Sequence, residues 1–249
     1  MPPTALEARD AAKTYPNGVR ALDGVSLDVR TGETVALIGK SGCGKSTLLR
    51  LFNRLEEPTG GEVLIGGKPA RDLHPIRLRR RTGYLQQEPG LLPHWTVRKN
   101  VALVPKLLGW DPGRIRVRVA EILDLVGLDP DGFQDRYPLQ LSGGERQRVA
   151  FARGLAADPE VILLDEPFAA LDALTRLEMH KEFLHLKEVL GKTMVLVTHD
   201  LDEAFRLADR IAVMKDGRIH QVASPEVLRR EPATDYVAEL IGRARDPSS

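Results

Sequence analysis

The stretch Gly39-Lys40-Ser41-Gly42-Cys43-Gly44-Lys45-Ser46-Thr47 constrains this chain more than any other. It fits the pattern G-x-x-x-x-G-K-[ST] and stands in the context that pattern requires. The apolar run Val35-Ala36-Leu37-Ile38 before it predicts a buried strand. Leu48, Leu51, Phe52 and Leu55 after it predict a helix that starts near Lys45. A strand, a glycine-rich turn and a helix N-terminus together make a phosphate cradle. The glycines let backbone N–H groups converge without interference from a Cβ, and the helix dipole adds positive potential. In such a loop Lys45 reaches the β- and γ-phosphates of a nucleotide, and the Ser46 hydroxyl sits on Mg²⁺. The competing reading is a glycine-rich turn that binds nothing.

The rest of the chain predicts the sheet this loop belongs to. Val161-Ile162-Leu163-Leu164 and Met194-Val195-Leu196-Val197 read as further buried strands. Met179, Phe183, Leu186 and Leu190 line one face of a helix between them. Ile211-Ala212-Val213-Met214 is another strand, closed by the hairpin signal Asp216-Gly217. Thr82-Gly83-Tyr84-Leu85 and Glu62-Val63-Leu64-Ile65 are shorter strands, the second preceded by a loop over residues 57–61. Residues 5–30 alternate between short β-like runs and turns, with Val25, Leu27 and Val29 on one face. Strands alternating with helices predict an α/β fold with a mostly parallel core sheet and an N-terminal antiparallel β subdomain. Residues 88–157 change character. The stripe Ile115, Val119, Ile122 and Val126 and the punctuation by Pro and Gly predict an inserted helical subdomain. The expected organisation is one domain over 1–249. Residues 1–87 and 158–222 form the α/β core, 88–157 the helical subdomain and 223–249 a C-terminal helical tail with 244–249 disordered.

Composition narrows the function classes. Net charge is +1, from 36 basic and 35 acidic side chains, which argues against nucleic acid as a partner. The one dense basic cluster, Arg77, Arg79, Arg80 and Arg81, reads as a solvated face. A single cysteine, Cys43, excludes an internal disulfide. Its position at a helix N-terminus raises two readings, a thiol activated by the dipole or a small residue that fits the loop. The N-terminus Met1-Pro2-Pro3-Thr4 shows no signal peptide, and no apolar run approaches the ~20 residues of a membrane span. The expectation is a chain in the cytoplasm.

Two further sites belong with the phosphate loop. The strand 161–164 ends in Asp165 and Glu166, at the carboxyl edge of a parallel sheet where ligands bind. Asp165 suits Mg²⁺ and Glu166 suits a general base for an attacking water. The alternative for such an acid is a cap on the following helix. His199 also closes a strand, as a candidate γ-phosphate sensor. Leu141-Ser142-Gly143-Gly144-Glu145-Arg146-Gln147-Arg148 opens a helix with glycines, a second anion site by the same physics, unless it is only a capped surface helix. Two such helix starts that cannot meet within one chain point to a head-to-tail dimer.

The phosphate loop, Leu141–Arg148 and Val161–Pro167 together resemble the ATP-binding subunits of ABC transporters, over about residues 5–242. The resemblance implies an ATPase that closes as a dimer on ATP and Mg²⁺ and drives membrane permease subunits. It implies that Tyr15 stacks on adenine; stacking at this position is otherwise indistinguishable from ordinary packing. It implies that Gln87 contacts Mg²⁺ and the attacking water, that Ala170-Leu171-Asp172 is the D-loop and that His199 is the switch histidine. Leu91, Leu92, His94 and Trp95 then lie near the permease contact. The stretches Pro89–Val97, Val101–Trp110, Leu171–Arg176 and Thr198–Ala204 are similar to the subfamily that imports quaternary-amine osmoprotectants. Such systems take up glycine betaine, choline, carnitine or proline with an extracytoplasmic binding protein. The ATPase subunit is then peripheral on the cytoplasmic face of the plasma membrane. Glu145 replaces the family's usual Gln, and the tandem CBS domains of many relatives are not expected. The rival readings are an importer for amino acids, polyamines or sulfonates, or a soluble ABC ATPase without a permease.

Overall fold

The computed structural model describes residues 2–242. The chain opens with β1 (Thr4–Thr14), β2 (Arg20–Arg30) and β3 (Thr34–Ile38), followed by α1 (Lys45–Phe52), β4 (Gly60–Ile65), β5 (Lys68–Pro69) and α2 (Pro75–Arg81). It continues through β6 (Thr82–Leu85), α3 (Val97–Val101), α4 (Leu103–Leu107), α5 (Pro112–Leu125), α6 (Pro130–Phe133) and α7 (Gly143–Leu155). The last part runs β7 (Val161–Asp165), α8 (Ala173–Leu190), β8 (Thr193–Val197), α9 (Leu201–Leu207), β9 (Arg210–Lys215), β10 (Arg218–Ala223), α10 (Pro225–Arg230) and α11 (Asp235–Gly242). Helix starts follow local chemistry. Asp111, Asp129 and Ser224 each cap a helix whose next residue is proline, a residue that needs no N–H at that place.

The chain forms two compact units, residues 1–78 with 193–249, and residues 79–192. The first holds an antiparallel sheet in the order β2-β1-β4-β5 and the strands β10-β9-β3-β8. In the latter, β3 pairs in parallel with both β8 and β9, and β10 pairs antiparallel with β9. All five residues of β3 and all five of β8 are buried, a threonine followed by four apolar residues in each, as strands covered on both faces should be. Ile38, Ile211 and Val213 pack with Leu228 of α10 and with Val237 and Ile241 of α11. The expected helical tail thus belongs to the core of this unit as far as Gly242. The disorder expected for 244–249 lies outside the described residues.

The N-terminal region is more regular than its sequence predicts. It forms two strands of eleven residues rather than short runs. The misreading comes from β1, where the buried residues Leu6 and Ala8 are followed by Ala11. Asp10 takes φ +46° and the pairing register slips between Ala8 and Ala11, a bulge that resets the alternation. Gly60 and Gly61, expected in a loop, begin β4. Leu55 does not belong to the α1 face: the helix ends at Phe52 and Leu55 is exposed.

In the second unit β6 and β7 pair in parallel, with Leu85 opposite Leu164. The stripe Ile115, Val119, Ile122 and Val126 is buried as its period requires. Phe151, Phe168 and Phe183 form an aromatic cluster between α7 and α8, with ring centroids 6.0–6.5 Å apart. Glycine at 154 lets α7 lie close on β6, since a Cβ there would fall 2.7 Å from Leu85 Cδ1.

Candidate nucleotide site

The phosphate loop leaves β3 at Gly39 and enters α1 at Lys45. Two of its glycines are required by close approach. A Cβ on Gly39 (φ +148°) would stand 2.1 Å from the Met214 carbonyl oxygen, and one on Gly44 (φ +104°) 2.4 Å from the Ala21 carbonyl oxygen. The loop is held from outside by the β9–β10 turn, where Gly217 N–H donates to the Cys43 carbonyl at 3.1 Å. Lys45 is 5% exposed, which for a lysine demands partners. Its ammonium donates to the Gly39 carbonyl at 2.8 Å and the Lys40 carbonyl at 3.1 Å. No side chain caps the start of α1, where Gly44 occupies the N-cap. Ser46 and Thr47 are half-buried in the first turn, while Lys40, Ser41 and Gly42 are exposed. Cys43 is corrected against the activated-thiol reading. It is buried, and burial pushes its thiol up, outweighing the pull of the Lys45 ammonium.

Tyr15 follows β1 and reaches the same loop, its hydroxyl 3.5 Å from Thr47 Oγ1. His199 follows β8. Because Val197 pairs in parallel with Leu37, His199 and Gly39 leave the sheet at one edge. The Thr198 N–H donates to the Leu37 carbonyl at 3.2 Å, and the Thr198 hydroxyl donates to buried Glu203 at 2.6 Å. Asp200 caps α9 by accepting from the Glu203 N–H. The backbone of His199 is therefore fixed on both sides while the residue is exposed.

In the second unit, Gln87 and the pair Asp165–Glu166 lie beyond the same ends of β6 and β7. Glu166 takes φ +49°, a conformation of low population for a non-glycine residue, which turns the chain sharply after the strand. Neither acid caps the next helix. That role belongs to Asp172, which accepts from Leu174 and Thr175 N–H groups at 3.1 Å and from the Thr175 hydroxyl at 2.6 Å. The Thr175 bonds hold the Asp172 carboxyl below the usual carboxylate range. Ser142, Gly143, Gly144 and Glu145 open α7 as expected. The Ser142 hydroxyl accepts from Glu145 N–H at 3.2 Å, and the Glu145 carboxylate accepts from Ser142 N–H at 2.6 Å. The helix is thus capped, and the capped start carries the glycines. A Cβ on Gly144 would stand 2.6 Å from Thr175 Cγ2, so the starts of α7 and α8 are adjacent.

Two residues of the site's surroundings went unrecognised in the sequence. Asn100 is fully buried and binds the loop 92–96 from beneath. It accepts from Leu92 N–H at 2.8 Å and donates to the carbonyls of Leu92, Trp95 and Thr96 at 3.1–3.2 Å. Arg153 of α7 donates to the Pro89 and Gly90 carbonyls, each at 2.7 Å. The signal for Asn100 was present, a polar residue at an otherwise apolar position beside Val97 and Val101. Arg153 had none, since its partners are backbone oxygens distant in sequence.

The residues fit the groups expected of them. A cradle in which Gly39 and Gly44 have no room for a Cβ, around a buried ammonium, suits a nucleoside triphosphate. Ser46, Gln87 and Asp165 offer only oxygen donors, the kind Mg²⁺ takes. Among the described residues no cluster of three or more His, Cys, Asp or Glu could hold a metal by itself. No helix among the described residues is long and apolar enough to cross a membrane.

The family model for "ABC transporter" matches residues 22–169. The chain is 46% identical over 240 residues to the glycine betaine/carnitine/choline transport ATP-binding protein OpuCA of Bacillus subtilis (strain 168), covering 96% of this chain and 63% of that protein. It thus spans about three fifths of the length of that relative. Among solved structures it is similar to cbiO1 from Clostridium perfringens, part of the ABC transporter complex cbiONQ. The TM-score is 0.85 at 30% identity, over 98% of this chain and 99% of that one. It is also similar to the dimeric post-hydrolysis state of the ATP-binding cassette MJ0796 bound to ADP and Pi. There the TM-score is 0.78 at 37% identity, over 88% and 98% of the two chains. Phosphate loop, paired acids, the capped start of α7 and these likenesses agree, and the chain belongs to the ATP-binding cassette family of ABC transporters.

Proposed function

We propose that this chain is the ATP-hydrolysing subunit of an importer that takes up osmoprotectants of the quaternary-amine class, such as glycine betaine, choline, carnitine or proline. The observation that carries the catalytic part is the buried Lys45 ammonium inside a loop in which Gly39 and Gly44 have no room for a side chain. The substrate class is supported by the likeness to OpuCA, over 96% of this chain.

The chemistry follows from the side chains. Backbone N–H groups of 40–45 and the Lys45 ammonium bind the β- and γ-phosphates, and Tyr15 stacks on adenine. Mg²⁺, when bound by Ser46, Gln87, Asp165 and phosphate oxygens, supplies charge neutralisation at the γ-phosphate. Glu166 accepts a proton from the attacking water, and His199 donates to the γ-phosphate oxygens. In a dimer the Ser142-Gly143-Gly144 start of one copy completes the site of the other. Glu145 lies beside that contact, with Asp172 bracing it from α8. The dimeric MJ0796 cassette supports this arrangement. The loop 91–95 held by Asn100 is the proposed permease contact, on the cytoplasmic face of the membrane.

The test is uptake of labelled glycine betaine and choline at high osmolarity by cells lacking this gene. Loss of uptake, restored by the wild-type chain but not by Glu166→Gln, supports the reading. The purified Glu166→Gln protein is expected to turn over ATP roughly 10²–10⁴-fold more slowly while still binding it. Normal uptake in the deletion strain, with no redundant importer present, overturns the substrate class. Unchanged turnover in the variant removes Glu166 as the base.

A further inference from the structure

We propose that Lys13 is a positioning residue for nucleotide binding: its ammonium backs one face of the Tyr15 ring, anchored by Glu56, so that the other face is presented to a purine base. The inference rests on the ATP-binding reading above and deepens it.

The Lys13 Nζ stands 5.2 Å from the centroid of the Tyr15 ring. It pairs with Glu56 at 2.8 Å and donates to the Glu57 carbonyl at 2.9 Å. Its side chain is 12% exposed and that of Glu56 26%. A lysine on a strand end normally keeps its hydrated ammonium in water. Here it is drawn in, and the two groups that draw it in lie just beyond α1, the helix that starts the phosphate cradle.

The strand end is shaped for this contact. The register of β1 against β2 slips between Ala11 and Lys13 and again between Lys13 and Thr14. Such irregularities re-aim side chains next to functional sites. Thr59 ties the same stretch from the α1 side. Its N–H donates to the Ala12 carbonyl at 2.8 Å, and its hydroxyl accepts from Thr14 N–H at 3.1 Å. Tyr15 is fixed at its other end by the turn it opens, its N–H donating to the Val19 carbonyl at 2.9 Å. Its hydroxyl lies beside Thr47 in the first turn of α1. The ring is therefore gauged against both ends of one helix, and its distance from the phosphate cradle is set.

A cation on one face of an aromatic ring draws electron density toward itself. The opposite face then stacks better on an electron-rich purine, and the ring loses rotamer freedom before the ligand arrives. Lys13 acts through Tyr15 and touches neither base nor phosphate.

The experiment uses the full chain and calorimetric titration with ADP, which brings a base, and with inorganic tripolyphosphate, which does not. Lys13→Met keeps the stem and removes the cation. It is expected to weaken ADP about 2- to 5-fold and to leave tripolyphosphate unchanged. In a Tyr15→Ala background the same substitution is expected to have no further effect, and Lys13→Arg should restore wild-type ADP affinity. Equal ADP affinity in Lys13→Met and wild type overturns the inference alone. So does an equal loss for tripolyphosphate, or a full additional loss on top of Tyr15→Ala. A wild-type chain that binds neither ligand overturns the ATP-binding reading, and this inference with it.

Discussion

The starts of α1 and α7 use one physical device in opposite ways. Both put glycines at the positive end of a helix. At α1 the N-cap is Gly44, in a left-handed conformation, and no side chain caps the first turn. At α7 the N-cap is Ser142, which exchanges hydrogen bonds with Glu145 in a closed box. One start has no side-chain cap and relies on neighbours for its shape: Met214 and Ala21 at the glycines, Gly217 at Cys43. The other supplies its own shape and presents it. The difference teaches that a glycine-rich helix start can be shaped from outside by its neighbours or from within by its own cap, and that the cap residue reveals which.

Substitutions at the two starts should therefore fail in different currencies. The largest effect is expected at Lys45. Lys45→Ala should lower kcat/KM for ATP by about 10²–10³-fold or more and abolish the rise in Tm that ATP gives the wild type. A variant that keeps the ATP-dependent rise in Tm would show that α1 does not depend on its cation. Gly44→Ala comes next. Its Cβ meets the Ala21 carbonyl, so the loop must shift, and a loss of about 2–4 kcal/mol in denaturant unfolding is expected. Ser142→Ala should cost about 1 kcal/mol by the same measurement, the ordinary value of a lost cap. A larger loss for Ser142→Ala than for Gly44→Ala would invert the comparison. Glu145→Gln is the smallest. Glutamine also closes a capping box, so stability should stay within about 0.5 kcal/mol, and in the proposed dimer, where this start faces the phosphates of the other copy, ATP turnover should be at or above the wild type because the exchange removes a negative charge there. A marked loss of turnover would mean that the Glu145 charge itself is used.

What could be read in the sequence divides along similar lines. Elements marked by burial or by turn chemistry were legible: β3, β7 and β8 as apolar runs, α5 by its one-sided helical stripe, and the hairpin at Asp216-Gly217 by its turn residues. The phosphate loop, the paired acids and the α7 start were legible because their residue types carry the chemistry themselves. β1 was not, because a bulge at Asp10 breaks the alternation on which a strand is recognised. Leu55 misled because helical spacing continued past the point where α1 ends. Arg153 and the external clamps on the loop stayed hidden because they act on backbone atoms, and a carbonyl oxygen looks the same in every sequence. Asp172 shows a middle case. The resemblance implied its loop, but its bond to Thr175 and its place at the start of α8 came only from the fold.

The sealing of Cys43 has a practical consequence. It is the only cysteine in the chain, it lies beneath the β9–β10 turn, and burial keeps its thiol protonated. The native protein therefore offers almost no background to thiol chemistry. A cysteine introduced on the surface would be the single reactive group in each copy. Placed at an exposed position near the start of α7, it would carry one probe per copy, whose signal would report the approach of a second copy in the proposed head-to-tail dimer, without first stripping the protein of its own sulfur.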